Sequence, residues 1–192
     1  TRIAEFDNIR KSGKLCISLK ENDELIGVKK TDGECDAIMA SSTGRIAVFN
    51  EEEVRVMGRT ASGVKGISLE NGKCVGLETA KADDNIIIVT EKGYGKKTHI
   101  SEYRKTKRGS KGVKALNITE KNGNIAAIKR FEENNDLMII TNNGIIIRIP
   151  LDQISQLGRV TQGTRLINLK DNQIVSTISL VLNEPEEIEE VA

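Results

Sequence analysis

Short apolar runs separated by polar turns recur along the whole chain, and no stretch sustains the 3.6-residue period of an amphipathic helix. The runs are rich in Ile and Val and partly alternate with polar residues, as in NIIIVTE, DLMIITN and RIAVF. Turn sequences such as ENGK, KNGN and TNNG stand between many of them. This pattern predicts short antiparallel strands joined by hairpins.

The runs belong to a repeat of about 50 residues. A glycine begins each copy, at spacings of 50, 49 and 51 residues: Gly13, Gly63, Gly112 and Gly163. Four apolar runs follow it in a full copy, and a turn glycine stands between the third and the fourth: Gly44, Gly93 and Gly144. Four strands in each repeat predict an all-β, propeller-like fold of about four blades. One irregular β-sandwich is the alternative, which the even spacing disfavours.

The repeats divide the chain into one domain and a tail. The domain covers 1–182, with repeats of about 13–62, 63–111, 112–162, and 163–182 taken together with 1–12. The start TRIAEF matches THISEY at 98–103, so we expect the chain to begin at the end of a fourth strand. Residues 183–192 contain five Glu and no base, which predicts an acidic disordered tail.

Candidate chemistry for catalysis is sparse. His99 is the only histidine, which leaves little scope for a nucleophile–histidine arrangement, and Asp83 and Asp84 are expected in a solvated turn. The cysteines are few and widely spaced, so we expect three small core side chains, no zinc site and no cofactor: Cys16, Cys35 and Cys74. Tyr94 and Tyr103 are expected to pack. No apolar run reaches the length of a membrane span and no signal peptide is recognisable.

Basic residues give the clearer signal. The formal net charge is +1, but it rises to about +6 without the tail, and the window 92–114 holds nine Lys or Arg against one acid. Bases recur in phase with the repeat, four residues before and two residues after the glycine: Arg59, Arg108, Arg159, Lys65, Lys114 and Arg165. The full candidate set adds neighbouring and equivalent positions: Arg10, Lys14, Arg45, Lys96, Lys97, Arg104, Lys107, Lys111 and Arg148.

Repeated bases on successive blades predict a basic surface for a charged polymer. Its contacts would go to phosphates, which position a nucleic acid without reading its sequence. Aromatic residues make up only 3% of the chain, which disfavours stacking of single-stranded bases and favours duplex DNA. A protein-interaction propeller is the alternative, and it would be expected to have an exposed aromatic or apolar face.

The glycine–basic phrases resemble a known family. TEKGYGKKTHISEY, RVMGRTASGVKGISL, SQLGRVTQGTRLINL and NIRKSGKLCISL closely resemble the C-terminal domain of the bacterial DNA gyrase A subunit, and the related domain of topoisomerase IV is the alternative. The resemblance implies a β-pinwheel of four-stranded blades that binds and wraps duplex DNA without sequence specificity. It also implies a part of an ATP-dependent type II topoisomerase, an isomerase, that introduces negative supercoils.

The resemblance also sets expectations for partners. The chain itself would be no enzyme, ATP and Mg²⁺ being used elsewhere in the holoenzyme. It would join the rest of the gyrase A subunit, together with the gyrase B subunit, in a cytoplasmic, nucleoid-associated A2B2 assembly with no membrane contact. The Gln-Arg-Arg-Gly-Gly-Lys-Gly box of the family is absent from this sequence. We therefore expect an N-terminally truncated, monomeric domain that binds DNA but does not support supercoiling.

Overall fold

The computed structural model describes residues 1–183, so the acidic tail at 183–192 lies outside the described residues except for Asn183. Strands and short 3-10 turns are the regular elements of this part of the chain, and the predicted all-β class is confirmed. The strands are β1 (Asp36–Ser41), β2 (Arg45–Asn50), β3 (Cys74–Ala80), β4 (Asn85–Thr90), β5 (Tyr94–His99), β6 (Val113–Lys114), β7 (Ile125–Phe131), β8 (Asn135–Thr141), β9 (Ile146–Pro150), β10 (Thr164–Arg165) and β11 (Val175–Leu182).

The third and fourth runs of each full repeat form a hairpin. These hairpins are β1–β2, β4–β5 and β8–β9, and each turns at a glycine with positive φ, such as Gly93 at 77°. A 3-10 turn follows each fourth strand: Glu51–Glu53, Ile100–Glu102 and Leu151–Gln153. The first residues contain the same element, Ile3–Phe6, so the match between TRIAEF and THISEY holds in the structure.

The strands assemble into three antiparallel sheets that interlock the repeats. The first sheet has the order β3-β1-β2-β6, the second β10-β5-β4-β7, and the third β11-β8-β9. Each sheet takes its central hairpin from one repeat and the second run of the next repeat. The first two sheets also take the first run of the repeat after that. A four-stranded sheet therefore draws on three successive repeats instead of one contiguous 50-residue segment, and the described residues contain three sheets where about four blades were expected.

The interlocking explains why the start of the first repeat forms no strand. In the three sheets, the first and second runs of a repeat pair with hairpins of earlier repeats. The runs at 14–19 and 24–30 would therefore pair with hairpins that come before the first repeat, and the given sequence contains no such hairpins. Several of their apolar side chains are exposed, among them Leu15, Leu25 and Val28. Lys29 still contacts the domain, at 2.5 Å from the buried Glu78 carboxylate on β3.

The core lies between successive sheets. β4 is at the centre of the second sheet, and its side chains alternate between two clusters, as expected for a strand that is covered on both faces. Ile86 and Ile88 pack towards the first sheet, while Ile87 and Val89 pack towards the third. All four are fully buried, and each contributes on the order of 1.5–3 kcal/mol of hydrophobic stabilisation.

Candidate nucleic-acid interface

Three bases at the second position after the repeat glycine lie exposed at equivalent places. Lys114 is on β6 and Arg165 is on β10, the edge strands of the first and second sheets, and Lys65 is exposed in the preceding repeat. Each donates to a polar side chain three residues later: Lys65 to Ser68 (3.4 Å), Lys114 to Asn117 (2.8 Å) and Arg165 to Asn168 (3.2 Å). The recurring contact directs three cationic groups along the surface at one position of the second, third and fourth repeats, where the first repeat has Leu15.

Two of the arginines four residues before the glycine bind the glycine–basic phrase that precedes their own along the chain. Arg59 Nη1 donates to the carbonyl oxygen of Leu15 at 2.8 Å, and Arg108 Nη1 donates to that of Lys65 at 2.8 Å. Both acceptors stand two residues after a repeat glycine, at the start of the repeat that ends with the arginine. Arg108 Nε also donates to Glu53 O at 3.1 Å. Arg59, Arg108 and Arg159 are all half-buried. Their recurrence predicted contacts with phosphate, but the bonds of Arg59 and Arg108 to backbone carbonyl oxygens give these two a structural role as well.

Lys96 is a correction to the candidate set. Its side chain is fully buried, and Nζ donates to the carbonyl oxygens of Gly158 and Arg159, both at 2.7 Å. Strand alternation places neighbouring Lys96 and Lys97 on opposite faces of β5, so only Lys97 keeps partial exposure, with Nζ on Leu151 O at 2.6 Å. Burial lowers the pKa of the Lys96 ammonium from 10.5 to about 8. An ammonium enclosed in this way is removed from any phosphate contact.

Four other candidates are engaged within the protein. Arg148 Nε lies 2.6 Å from the buried Asp136 carboxylate, and Lys111 Nζ lies 2.5 Å from Glu70. The remaining contacts are to backbone carbonyl oxygens, from Arg45 to Gly112 at 3.2 Å and from Lys14 to Glu5 at 3.2 Å. Acid partners reduce the positive potential that the first two can offer. The three candidates not yet described are also exposed on the surface: Arg10, Arg104 and Lys107.

Tyr94 is a site residue that sequence reasoning missed. It pairs with Arg165 across β5 and β10, is only 6% exposed, and accepts hydrogen bonds from Arg165 Nε at 3.1 Å and Nη2 at 2.8 Å. Lys121 Nζ lies 5.5 Å from the ring centroid. Beside them is a cavity of about 340 Å³, the Tyr94 pocket, whose charged and aromatic lining is Lys92, Tyr94, Lys121, Arg165, Lys170 and Asp171. Lys121 stands in KNGN where the preceding repeat has Glu70 in ENGK. This exchange of an acid for a base is the feature of the sequence that could have pointed to the Tyr94 pocket.

The other candidate chemistry has structural uses. His99 Nδ1 accepts from the backbone N–H of Ser101, so the ring caps the 3-10 turn that follows β5. Tyr103 is buried as expected, and its burial raises the pKa of the phenol to about 12. The expectation of three core cysteines was wrong for Cys16, which is exposed, and for Cys35, which is half-buried. Cys74 is also half-buried, but it packs against the core cluster of Ala47, Phe49 and Ile67.

Among residues 1–183, one group of acidic and thiol side chains has its ligand atoms close enough together to hold a metal ion. The ligand atoms of Asp32, Cys35 and Glu51 are within 4.8 Å of one another. Asp32 accepts from the backbone N–H of Glu34 and from the Cys35 thiol, while Glu51 accepts from the backbone N–H groups of Gly33 and Cys35. The hydrogen bond to Asp32 raises the pKa of the Cys35 thiol. Turn hydrogen bonds hold these three side chains in place in this structure.

The three sheets, which share strands from successive repeats, and the basic residues on their edge strands define a propeller-like class of domain. The chain belongs to the family described as DNA gyrase C-terminal domain, beta-propeller, whose model matches residues 1–32, 36–81, 84–132 and 135–181. The last three matched segments each contain the hairpin and the long outer strand of one sheet. The family resemblance of the glycine–basic phrases is thereby confirmed. Across residues 1–183, no helix is long and apolar enough to cross a membrane.

Relatives and solved structures agree with this assignment. The chain is 47% identical to the DNA gyrase A subunit of Staphylococcus epidermidis over 95% of its length, and 46% identical to that of Staphylococcus aureus over 96%. It spans only 21% of the length of these relatives. Its fold resembles the C-terminal domain of DNA topoisomerase IV, at TM-score 0.86 and 26% identity over 93% of this chain and 57% of that one. A DNA gyrase A C-terminal domain matches in fold at TM-score 0.80, over 90% and 59%.

Proposed function

We propose that this domain binds duplex DNA without sequence specificity along the exposed bases of successive repeats. The observation that carries the proposal is the recurrence of Lys65, Lys114 and Arg165, which are exposed at one position of the second, third and fourth repeats and held by the same type of polar neighbour. Phosphates are the natural ligands of such a row, because Lys and Arg on a surface neutralise backbone charge and release counterions.

The same proposal assigns the domain a role in a larger enzyme. As part of a gyrase A subunit that also carries the Gln-Arg-Arg-Gly-Gly-Lys-Gly box, which this sequence lacks, it would bend or wrap DNA beside the strand-passage machinery and so support ATP-dependent negative supercoiling by the holoenzyme. Bending a duplex by 40–90° costs on the order of 1–6 kcal/mol. Contacts repeated at about 50-residue intervals would offset that cost, because each added sheet edge brings another basic group to the DNA.

Fluorescence anisotropy with a labelled linear duplex across a salt series tests the proposal. A triple variant, K65E/K114E/R165E, is expected to weaken binding and to flatten the dependence of log K on log salt by about 0.9 for each phosphate that is no longer neutralised. The matched control, K20E/K30E/K81E, reverses three exposed charges outside the row. Equal losses for both variants would show that only net charge matters. Salt-independent binding by the unsubstituted chain would contradict the proposal altogether.

A further inference from the structure

The Tyr94 pocket concentrates positive charge at the edge of the second sheet. Four basic side chains line it, Lys92, Lys121, Arg165 and Lys170, against the single carboxylate of Asp171. Lys121, Arg165 and Lys170 are exposed at its rim. A concave surface with one predominant sign of charge favours a ligand of the opposite sign.

The floor of the pocket is organised before any ligand binds. Tyr94 is nearly buried, and its hydroxyl oxygen accepts two hydrogen bonds from Arg165. The guanidinium carbon of Arg165 lies 5.4 Å from the ring centroid and Lys121 Nζ lies 5.5 Å from it. Two cations therefore share one aromatic ring. Their contacts with the ring are weakly favourable, while the repulsion between the two charges is not relieved by the ring itself.

At the equivalent position of the first sheet, a carboxylate of the protein neutralises the basic side chains. There Arg45 pairs with Lys114 across β2 and β6, as Tyr94 pairs with Arg165 across β5 and β10. Glu70 occupies the position equivalent to Lys121, in ENGK against KNGN. Glu70 forms an ion pair with Lys111, and its pKa is lowered first by the hydrogen bond and charge of Lys111 and then by the charge of Arg45. The first sheet thus supplies its own carboxylate at this position, and the second sheet supplies another cation.

We infer that the Tyr94 pocket binds one phosphate group in the place that the Glu70 carboxylate fills in the first sheet. Lys121 offers its ammonium, and Arg165 retains N–H groups beyond the three that contact Tyr94 and Asn168. A guanidinium suits this ligand because its donors match the oxygens of a phosphate. The inference deepens the proposed function, because Arg165 belongs to the basic row. The phosphate would then be one of the DNA backbone and would fix the position of the duplex on the domain.

The pocket can be observed directly by 1H–15N NMR of the full chain. Inorganic phosphate and, separately, a short duplex are titrated at constant ionic strength, and the signals of the Tyr94 amide and the Arg165 Nε–H are followed. We expect saturable shifts at both sites with each ligand. Lys121→Glu is expected to abolish the phosphate response and to weaken duplex binding about tenfold more than the exposed control Lys20→Glu. Lys121 is exposed, so the amide spectrum of the variant should remain that of the folded domain.

A reciprocal variant tests the reasoning in the opposite direction. Glu70→Lys removes the carboxylate of the first sheet and should create a new phosphate response at the Arg45 Nε–H. Saturation by phosphate without any response to duplex would support the pocket and assign its ligand to free phosphate, which contradicts the proposed DNA role. Duplex binding that leaves the Tyr94 and Arg165 signals unmoved would overturn the pocket and leave that role intact. Absence of saturation by either ligand would overturn the inference.

Discussion

The buried ammonium of Lys96 makes the stability of the domain depend on pH in an unusual direction. Its Nζ donates to Gly158 O and Arg159 O, so it joins the second sheet to the loop before the last repeat. Desolvation lowers its pKa to about 8, the charge of Glu102 partly opposes this shift, and the charge of Arg159 adds to it. A neutral amine still has two N–H groups, which are enough for both carbonyl oxygens.

The sign and the size of the pH effect on the free energy of unfolding follow from proton linkage. Between the folded pKa of about 8 and the unfolded value of 10.5, the unfolded chain binds more protons at Lys96 than the folded chain does. The free energy of unfolding therefore rises with pH across this window, and at about 1.4 kcal/mol per pH unit of separation the full gain is about 3 kcal/mol. Below pH 8 the lysine is charged in both states, and the folded protein carries the whole desolvation cost.

The perturbation that isolates this effect is Lys96→Met. Methionine removes the buried charge but leaves Gly158 O and Arg159 O without their donor, at a cost of about 1–3 kcal/mol for each carbonyl. That cost does not depend on pH. The difference in unfolding free energy between the unsubstituted chain and the variant should therefore grow by up to about 3 kcal/mol between pH 7.5 and 10.5.

Urea unfolding followed by circular dichroism measures this difference. At several pH values from 7.5 to 10.5, both proteins are unfolded and their free energies are subtracted. Burial also raises the pKa of Tyr103 to about 12 and that of the Cys74 thiol, which lowers stability at high pH in both proteins and cancels in the subtraction. A constant difference across the pH range would refute the reasoning. Arg159→Ala, which removes a nearby like charge, should move the window to higher pH.

Two further substitutions test contacts between segments that are distant in sequence, each by urea unfolding against a matched position. Gly112→Ala should cost at least about 2 kcal/mol more than Gly63→Ala, because both have positive φ but only Gly112 would place its Cβ against a backbone oxygen, at 2.2 Å from Ile46 O. Asn122→Asp should cost about 2–3 kcal/mol, because buried Asn122 donates to Asn117 O and Gln162 O, whereas Asn71→Asp at the exposed equivalent position should cost little. Equal costs within either pair would contradict the assigned contacts.

Much of the local structure could be predicted from the sequence, because it is decided by neighbouring residues. Period-two alternation and a glycine between two apolar runs are enough to define hairpins such as β4–β5, and the structure has a hairpin at each such place. The pairing between repeats could not be predicted in the same way. The first run of a repeat could form backbone hydrogen bonds with any fourth strand. Its residues do not indicate that β6 pairs with β2, in a hairpin two repeats earlier.

The candidate site divides along the same line. Recurrence selected Lys65, Lys114 and Arg165, which the structure places on the surface. It failed at Lys96, because a basic residue in a strand has one chance in two of facing inward, and only the neighbouring sheet decides whether carbonyl oxygens lie there to accept its hydrogen bonds. Tyr94 was missed for the reverse reason. Its importance depends on Arg165, 71 residues later, and on an exchange of Glu for Lys in a turn.

The pairing of strands from different repeats also fixes the positions of the basic residues Lys114 and Arg165 relative to each other. Lys114 and Arg165 lie on short edge strands, each paired through two residues to a hairpin that its own repeat does not contain. The distance from Lys114 to Arg165 is therefore set by the packing of two sheets and not by the flexibility of the 50 residues between them. Arg108 adds a direct bond to the previous phrase at Lys65 O. Charges held in this way would not have to be ordered in the proposed complex with DNA, so less of the binding free energy would be lost to side-chain and backbone entropy.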